Sequence, residues 1–158
     1  MPTTRAGSPL GRGELAPELE LPDTHGTPVR VGGVRAAPQL VVFLPFAFTA
    51  TCAGELRDLH ALRGSVPSAG VVAISCDPAP ALRAWAAHEG VDVPLLSDFW
   101  PHGRAAAAFG VLDDDGGFAT RGSFLLDGEG RVAWSTHSPA GLARSVADYR
   151  AALTALTG

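Results

Sequence analysis

Two short hydrophobic runs, each followed by a segment with helix signals, constrain the fold of this chain more than any other feature. Residues 40–44 (Leu-Val-Val-Phe-Leu) and Gly70–Ser75 (Gly-Val-Val-Ala-Ile-Ser) show no alternation of polar and apolar side chains. Such runs are typical of strands that are buried on both faces, as in a central parallel sheet. Because leucines recur at helical spacing over residues 52–63, the first run predicts a strand that leads into a helix.

The remaining segments complete one α/β domain. In chain order, we expect a strand near 29–31, a helix up to about 89, a strand over 94–97, a short helix over 103–109, a hairpin of strands 121–126 and 131–136, and a final helix over about 140–156. Asp77 and Pro78 are predicted to be the N-cap and the first residue of the helix that Gly90 ends. This order predicts an α/β, thioredoxin-like fold, with a central mixed β-sheet flanked by helices and an N-terminal extension. Residues 1–12, rich in Pro, Gly and Ser, are expected to form a flexible arm before a single domain over 13–158.

Composition and charge narrow the possible function classes. The chain has 158 residues, of which 46% are hydrophobic and 18% charged, and a formal net charge of −4. The negative charge argues against nucleic acid or an anionic membrane surface as the main partner, and no apolar run approaches the roughly 20 residues of a membrane span. The first residues have no hydrophobic signal core, so we expect a cytoplasmic protein. The five histidines are scattered and none pairs with a cysteine at zinc-ligand spacing, so no metal site is expected.

Cys52 occupies a position where a thiol is readily activated. It lies at the start of the helix after the first buried strand, where unpaired N–H groups and the helix dipole favour a thiolate. Pro45 ends the strand, and Thr49, three residues before Cys52, can direct its hydroxyl towards the sulfur. A redox pair within this turn would need a second cysteine where the chain has Glu55. From position alone, Cys52 is either a nucleophile or an inert buried thiol.

Four segments, in order along the chain, resemble sequence motifs of the peroxiredoxins. They are Gly-x-x-Ala-Pro-Glu-Leu at 13–19, Pro-x-x-x-Thr-x-x-Cys at 45–52, Pro-Leu-Leu-Ser-Asp at 94–98 and Arg-Gly-Ser-Phe-Leu-Leu-Asp at 121–127. Two longer segments are similar to those of the one-cysteine, AhpE-type peroxiredoxins of actinobacteria. They are Phe-Ala-Phe-Thr-Ala at 46–50 and Ser-Asp-Phe-Trp-Pro-His-Gly at 97–103. The resemblance covers about residues 13–157, and it implies a thiol peroxidase that needs no organic or metal cofactor.

The resemblance also implies a role for each residue of the Cys52 site. Cys52 would be the thiolate that attacks hydrogen peroxide, an organic hydroperoxide or peroxynitrite and becomes a sulfenic acid. Thr49 would hold the peroxide in line with the sulfur, and Arg121 would favour the thiolate and polarise the peroxide. Pro45 would shield the sulfur from bulk water. Glu55 would orient Arg121 rather than contact the substrate.

Because Cys76 has two possible roles, the sequence does not decide how the Cys52 sulfenic acid is reduced back to a thiol. It follows the second strand, and residues at the carboxyl ends of parallel strands lie at one edge of a sheet. It is therefore either an inert thiol or a resolving cysteine, within the chain or between subunits. Without a resolving cysteine the sulfenic acid needs an external thiol, and the resemblance implies mycothiol with a mycoredoxin, or a thioredoxin, and a homodimer. A non-catalytic redox sensor or holdase is the remaining alternative.

Overall fold

A computed structural model describes residues 8–65, 69–139 and 141–157 of the chain. In these ranges the chain forms nine strands and four helices: β1 (Leu19–Pro22), β2 (Pro28–Val31), β3 (Gln39–Phe43), α1 (Ala50–Ser65), β4 (Gly70–Ser75), α2 (Ala79–Glu89), β5 (Leu95–Ser97), α3 (Arg104–Ala108), β6 (Leu112–Asp113), β7 (Phe118–Ala119), β8 (Arg121–Leu126), β9 (Val132–Ser138) and α4 (Val146–Thr157). The predicted order of elements is present, and β1, β6 and β7 are additional strands. None of the four helices is long and apolar enough to cross a membrane.

The β3 strand is the centre of a five-stranded mixed sheet with the order β5-β4-β3-β8-β9. The β4 strand runs parallel to β3, and β5 runs parallel to β4. The β8 strand runs antiparallel to β3 on its other side, and β9 forms a hairpin with β8. All five residues of β3 are buried, as its uninterrupted hydrophobic sequence predicts. The chain therefore has the thioredoxin-like α/β fold that the sequence predicts.

Alternate residues of β3 contact two separate hydrophobic cores, since successive side chains of a strand point to opposite faces. Leu40 and Val42 belong to a core that they share with helices α1, α2 and α4. Val41 and Phe43 belong to a second core, which includes α3 and the β1–β2 hairpin. Because packing covers both faces of the sheet, the ends of its strands are the places where functional side chains can converge.

The segment before β1 contacts the sheet and helix α3. The Leu10 amide donates a hydrogen bond to the Phe109 carbonyl (3.1 Å), and the Gly13 amide donates one to the Val132 carbonyl (2.8 Å). Residues 1–7 of the predicted arm lie outside the described residues. The part of the N-terminal extension that the structure describes is therefore hydrogen-bonded to the domain.

Helix α2 begins one residue later than predicted, and Asp77 is not its N-cap. The N-cap is Pro78, which has an extended backbone (φ −68°, ψ 153°) and makes no side-chain capping hydrogen bond. The Asp77 carboxylate instead accepts hydrogen bonds from the Ser75 hydroxyl and the Ala47 amide. The helix ends as predicted, at Gly90 in the left-handed conformation (φ 66°).

Helix α4 is shorter than predicted. It covers Val146–Thr157, whereas the sequence predicts a start near residue 140, which itself lies outside the described residues. Arg144 explains the later start, because its amide and its guanidinium both donate hydrogen bonds to Glu55 of α1. Those bonds fix Arg144 in the segment before the helix.

Candidate active site

Cys52 lies in the first turn of α1, and its side chain is fully buried. The β3 strand ends at Phe43, and residues 44–49 connect it to the helix. The Cys52 amide therefore belongs to the first four of the helix, which have no intrahelical acceptor. The partial positive charge of these amides favours a negative charge on a nearby sulfur.

Arg121 is a side chain that the fold brings into contact with the Cys52 sulfur. Its Nη2 atom lies 3.5 Å from Cys52 Sγ, although the two residues are 69 positions apart in the chain. The β8 strand runs beside β3 with Ser123 opposite Val42, so its first residue lies where β3 ends. Arg121 is 5% exposed, and its Nε atom has no hydrogen-bond partner among the described residues. A buried cation is thus held against the thiol.

Glu55 and Arg144 fix the position of Arg121. Arg121 Nη1 donates a hydrogen bond to Glu55 Oε1, and Arg144 donates to Glu55 Oε2 from its Nε atom (2.7 Å) and its amide (3.0 Å). Arg144 Nη1 also donates to the Gly122 carbonyl (2.9 Å) and the Ser123 hydroxyl (3.1 Å). Burial raises the pKa of Glu55, but the hydrogen bonds and charge of Arg144, with the charge of Arg121, outweigh burial and leave this pKa below its ordinary value. The ionised carboxylate therefore balances one of two buried cations.

The loop of residues 45–49, which precedes α1, carries Pro45 and Thr49. Thr49 is exposed, and its hydroxyl donates a hydrogen bond to the Phe46 carbonyl (3.0 Å). Because this bond uses the hydroxyl hydrogen, the Thr49 oxygen remains available as an acceptor. Pro45 is half-buried. Phe48 has a φ of 64°, a left-handed conformation that costs about 1–2 kcal/mol in a residue with a side chain.

Aromatic contacts hold this loop against two other elements. The ring of Phe46 packs on Phe118 of β7, with ring centroids 5.0 Å apart. The ring of Phe48 packs on Trp85 and His88 of α2, with centroids 6.4 and 5.9 Å apart. Packing on both sides of the loop therefore helps to offset the unfavourable backbone conformation of Phe48.

Cys76 is a second free thiol, directly after β4, and it is also buried. Burial and the neighbouring charge of Asp98, with a smaller effect of Asp77, raise the pKa of Cys76 to about 12, against a partial opposing effect of the Ala119 amide. A thiol with that pKa has on the order of one thiolate in 100,000 molecules at pH 7. In this conformation Cys76 is therefore a poor nucleophile.

The structure brings together three of the residues that the sequence singles out, namely Cys52, Glu55 and Arg121. The hydroxyl of Thr49 was expected to point to the sulfur, whereas its described hydrogen bond goes to the loop backbone. Sequence reasoning missed Arg144, because all 12 basic residues are arginines and nothing in the sequence marks this one as buried. In the part of the chain that the structure describes, no three His, Cys, Asp or Glu side chains form a group that could hold a metal ion.

The chain is similar in sequence and in fold to known proteins. The AhpC/TSA family matches residues 12–135 of the chain. Alkyl hydroperoxide reductase E of Mycobacterium tuberculosis (strain H37Rv) is 38% identical over 151 residues, which cover 94% of this chain and 99% of that protein. The solved structure of peroxidoxin BcpB from Mycobacterium tuberculosis is 30% identical, with a TM-score of 0.80, over 94% of this chain and 97% of that one. A peroxiredoxin-like protein from Aquifex aeolicus, 23% identical, shares the fold with a TM-score of 0.89 over 96% of this chain and 90% of that one. The chain therefore belongs to the AhpC/TSA family and is a peroxiredoxin.

Proposed function

We propose that Cys52 is the residue that reduces the peroxide, and the observation that carries this is the charge around its sulfur. Two buried arginines and the Glu55 carboxylate sum to one positive charge beside Cys52, which a thiolate would balance. The thiolate attacks one peroxide oxygen, and the O–O bond breaks with both electrons on the leaving oxygen. That oxygen takes a proton and departs as water or an alcohol, while the sulfur is oxidised to a sulfenic acid.

Ionisation of the thiol alone does not explain the rate of such an enzyme. A free thiol is already a few per cent ionised at pH 7, so complete ionisation increases the thiolate by only about 30-fold. Enzymatic accelerations begin at about a million-fold, so positioning and charge stabilisation must supply the rest. Arg121 Nη2, at 3.5 Å from the sulfur, is close enough to stabilise negative charge on the departing oxygen. The Thr49 oxygen, whose hydrogen is donated to Phe46, is free to accept a hydrogen bond from the peroxide O–H.

Pro45 and Glu55 have supporting roles in this proposal. Pro45, half-buried between the strand and the loop, limits the access of water to the sulfur. Glu55 acts through Arg121, because its carboxylate fixes the guanidinium that contacts Cys52. Both residues therefore affect the reaction without contacting the peroxide.

The sulfenic acid is proposed to be reduced by an external thiol rather than by Cys76. The raised pKa of Cys76, about 12, supports this, because a protonated thiol does not attack a sulfenic acid efficiently. A mycothiol with a mycoredoxin is the proposed reductant, and a thioredoxin is the alternative. Both belong to a reducing compartment, so a cytoplasmic location is part of the proposal. Measured rates of sulfenic acid reduction by each thiol would decide between them.

A homodimer is proposed as the assembled form of the enzyme. Support comes from exposed aromatic side chains, since Phe99 is 48% exposed and Trp100 is 80% exposed in the single chain. Large exposed aromatic side chains are typical of protein–protein interfaces. Sedimentation of the native protein beside Trp100→Arg tests this, because a charge at the interface should shift the population towards the monomer. A monomeric native protein would contradict the proposed assembly.

The experiment that tests the proposed function is an intact mass measurement within seconds of adding one equivalent of hydrogen peroxide. The expected result is a gain of one oxygen, trappable by a sulfenic-acid reagent and absent in Cys52→Ser. A loss of two hydrogens would instead make Cys76 the resolving residue. Slow oxidation without catalytic turnover would favour the redox sensor or holdase, and no change at Cys52 would overturn the peroxidase mechanism.

A further inference from the structure

We propose that Asp77 is a positioning residue for the Cys52 reaction, because its carboxylate holds the loop of residues 45–49 in the shape that presents Thr49 to the peroxide. This role rests on the proposed function, since it concerns the same loop. Asp77 Oδ2 accepts a hydrogen bond from the Ala47 amide at 2.9 Å, across 30 positions of the chain. Asp77 thus connects the end of β4 to the centre of the active-site loop.

Asp77 is itself fixed by two serines of the sheet. The Ser75 hydroxyl, at the end of β4, lies 2.7 Å from Asp77 Oδ2 and donates to it. The Ser97 hydroxyl, at the end of β5, donates to the Asp77 backbone carbonyl at 2.7 Å. Both serines are buried, at 2% and 3% exposure. Ser75 therefore fixes the carboxylate of Asp77, and Ser97 fixes the backbone that carries it.

The helix that follows Asp77 does not need this carboxylate. The N-cap of α2 is Pro78, and no side chain caps its first amides by a hydrogen bond. The described hydrogen bonds of the Asp77 carboxylate come from the Ser75 hydroxyl and the Ala47 amide. Removal of the carboxylate is therefore expected to change the loop and to leave the start of the helix unchanged.

The loop depends on such an anchor because its backbone is strained next to Thr49. Ala47 lies between Phe46, whose carbonyl accepts the Thr49 hydroxyl, and Phe48, whose φ is 64°. Without the anchor, Phe48 is free to relax to the right-handed or extended conformations that side chains favour. Such a change moves Thr49 relative to Cys52. Oxidation by a bound peroxide depends on that geometry, whereas alkylation of the thiol by iodoacetamide requires no bound peroxide.

The test compares two reactions of the same thiol in Asp77→Ala and in the native protein. Stopped-flow measurements give the rate of Cys52 oxidation by hydrogen peroxide, and trapping with iodoacetamide gives the rate of alkylation. We expect oxidation to slow by about 10- to 100-fold, as for other displacements of about 1 Å in a site. Alkylation should not fall, because it depends on the thiolate and on access to the buried sulfur, and relaxation of the loop reduces neither. Equal oxidation rates, or a parallel fall of both rates, would overturn the positioning role.

Asp127→Ala is a matched control. Asp127 Oδ1 also holds a turn, since it accepts the backbone amides of Glu129 (2.9 Å) and Arg131 (3.0 Å). That turn joins β8 to β9, at the opposite end of β8 from Arg121. We expect both rates of Asp127→Ala to match the native ones, and a slowing of oxidation as large as that of Asp77→Ala would contradict the proposed role.

Two further variants complete the test. In a Thr49→Val background, Asp77→Ala should slow oxidation by no more than about twofold, because both substitutions act on one hydroxyl; an undiminished effect would overturn the positioning role. Where Asp77→Ala does not fold, Asp77→Asn keeps an acceptor oxygen without the charge, and it should slow oxidation selectively but less. Unchanged oxidation in Asp77→Asn would then count against the role. A native protein whose Cys52 is not oxidised would overturn the proposed function itself.

Discussion

Arg144 supports the Cys52 site through Glu55, and it is 6% exposed. We expect Arg144→Gln to lower the free energy of unfolding by about 1.5–3 kcal/mol, because Glu55 keeps its pair with Arg121 but loses the buried hydrogen bonds that Arg144 donates to it. We also expect slower oxidation of Cys52, since Arg121 then pairs with a Glu55 carboxylate that Arg144 no longer holds in position. Urea unfolding at pH 7 measures the first effect, and stopped-flow oxidation measures the second.

Arg30→Gln is the control for this substitution. Arg30 forms an ion pair with Glu18 at 3.4 Å, but the two side chains are 43% and 61% exposed. Exposed pairs contribute at most about 1 kcal/mol, because water and salt screen them. Equal losses of stability in Arg30→Gln and Arg144→Gln would show that burial of the Glu55 pair has no special effect.

Cys76→Ala is expected to leave the oxidation of Cys52 unchanged within about twofold. The physical reason is the raised pKa of Cys76, about 12, which keeps this thiol protonated during the reaction. The measurement is the rate of oxygen gain by intact mass, together with the lifetime of the sulfenic acid. A sulfenic acid that disappears within seconds in the native protein but persists in Cys76→Ala would assign the resolving role to Cys76.

The sequence predicts some site residues and not others for a physical reason. The position of Cys52 at the start of a helix marks it as a candidate, whereas Glu55 and Arg121 are expected at the site only from the resemblance to the peroxiredoxins. The sequence does not show that the strand opened by Arg121 pairs with the strand that leads into α1. Arg144 comes from a segment of irregular backbone, where no periodicity shows which side chain is buried. Asp77 was predicted to be a helix cap, because its sequence position fits one, and only the fold shows that its carboxylate contacts the loop.

At the level of the helices, replacing each of two glycines by alanine is expected to change stability in opposite directions. Gly90 ends α2 with a φ of 66°, whereas Gly64 lies within α1, and an added Cβ atom would contact nothing within 4 Å at either position. We expect Gly90→Ala to destabilise the protein by about 1 kcal/mol through left-handed strain, and Gly64→Ala to stabilise it by about 0.5–1 kcal/mol. Thermal unfolding of both variants measures this, and shifts of the same sign would contradict the assignment of the α2 end.

Every described strand of five or more residues is among those that the sequence predicts. β3, β4 and β8 are runs of five or six residues and are buried almost throughout, so their hydrophobic sequences identify them. β6 and β7 have only two residues each, which is too short for any periodicity. They were missed, although Phe118 of this hairpin packs on Phe46 of the active-site loop. The contacts that shape the loop are therefore the part of the site that sequence patterns reveal least.

Across the whole molecule, Glu55 connects segments that are distant in the chain. Its carboxylate accepts hydrogen bonds from Arg121, 66 positions away, and from Arg144, 89 positions away. Helix α1, strand β8 and the segment before α4 thus meet at one buried charge. The charged side chains beside the Cys52 sulfur also connect these three segments. Conditions that neutralise Glu55 should therefore change the free energy of unfolding as well as the rate of Cys52 oxidation.

Acidification is the condition that tests this coupling. The pKa of Glu55 lies below its ordinary value of 4.5 in the folded protein, so its contribution to stability is complete above that value. The contribution is lost as the pH falls from 4.5 towards the lower folded pKa, because protons then bind the unfolded state more readily. Burial raises the pKa of Asp98, so the contribution of Asp98 has the opposite sign and increases on acidification. The pH dependence of the native protein alone therefore does not isolate Glu55.

The contribution of Glu55 to acid unfolding is obtained by comparing the native protein with Glu55→Gln. Urea midpoints measured between about pH 5 and pH 3 should fall more steeply for the native protein than for Glu55→Gln, because the amide does not titrate in this range. Arg144→Gln should give an intermediate slope, since it keeps the carboxylate but removes the hydrogen bonds that lower its pKa most. Equal slopes for the native protein and Glu55→Gln would mean that other carboxylates determine acid unfolding. In that case the buried charge at Cys52 would serve the reaction without stabilising the fold.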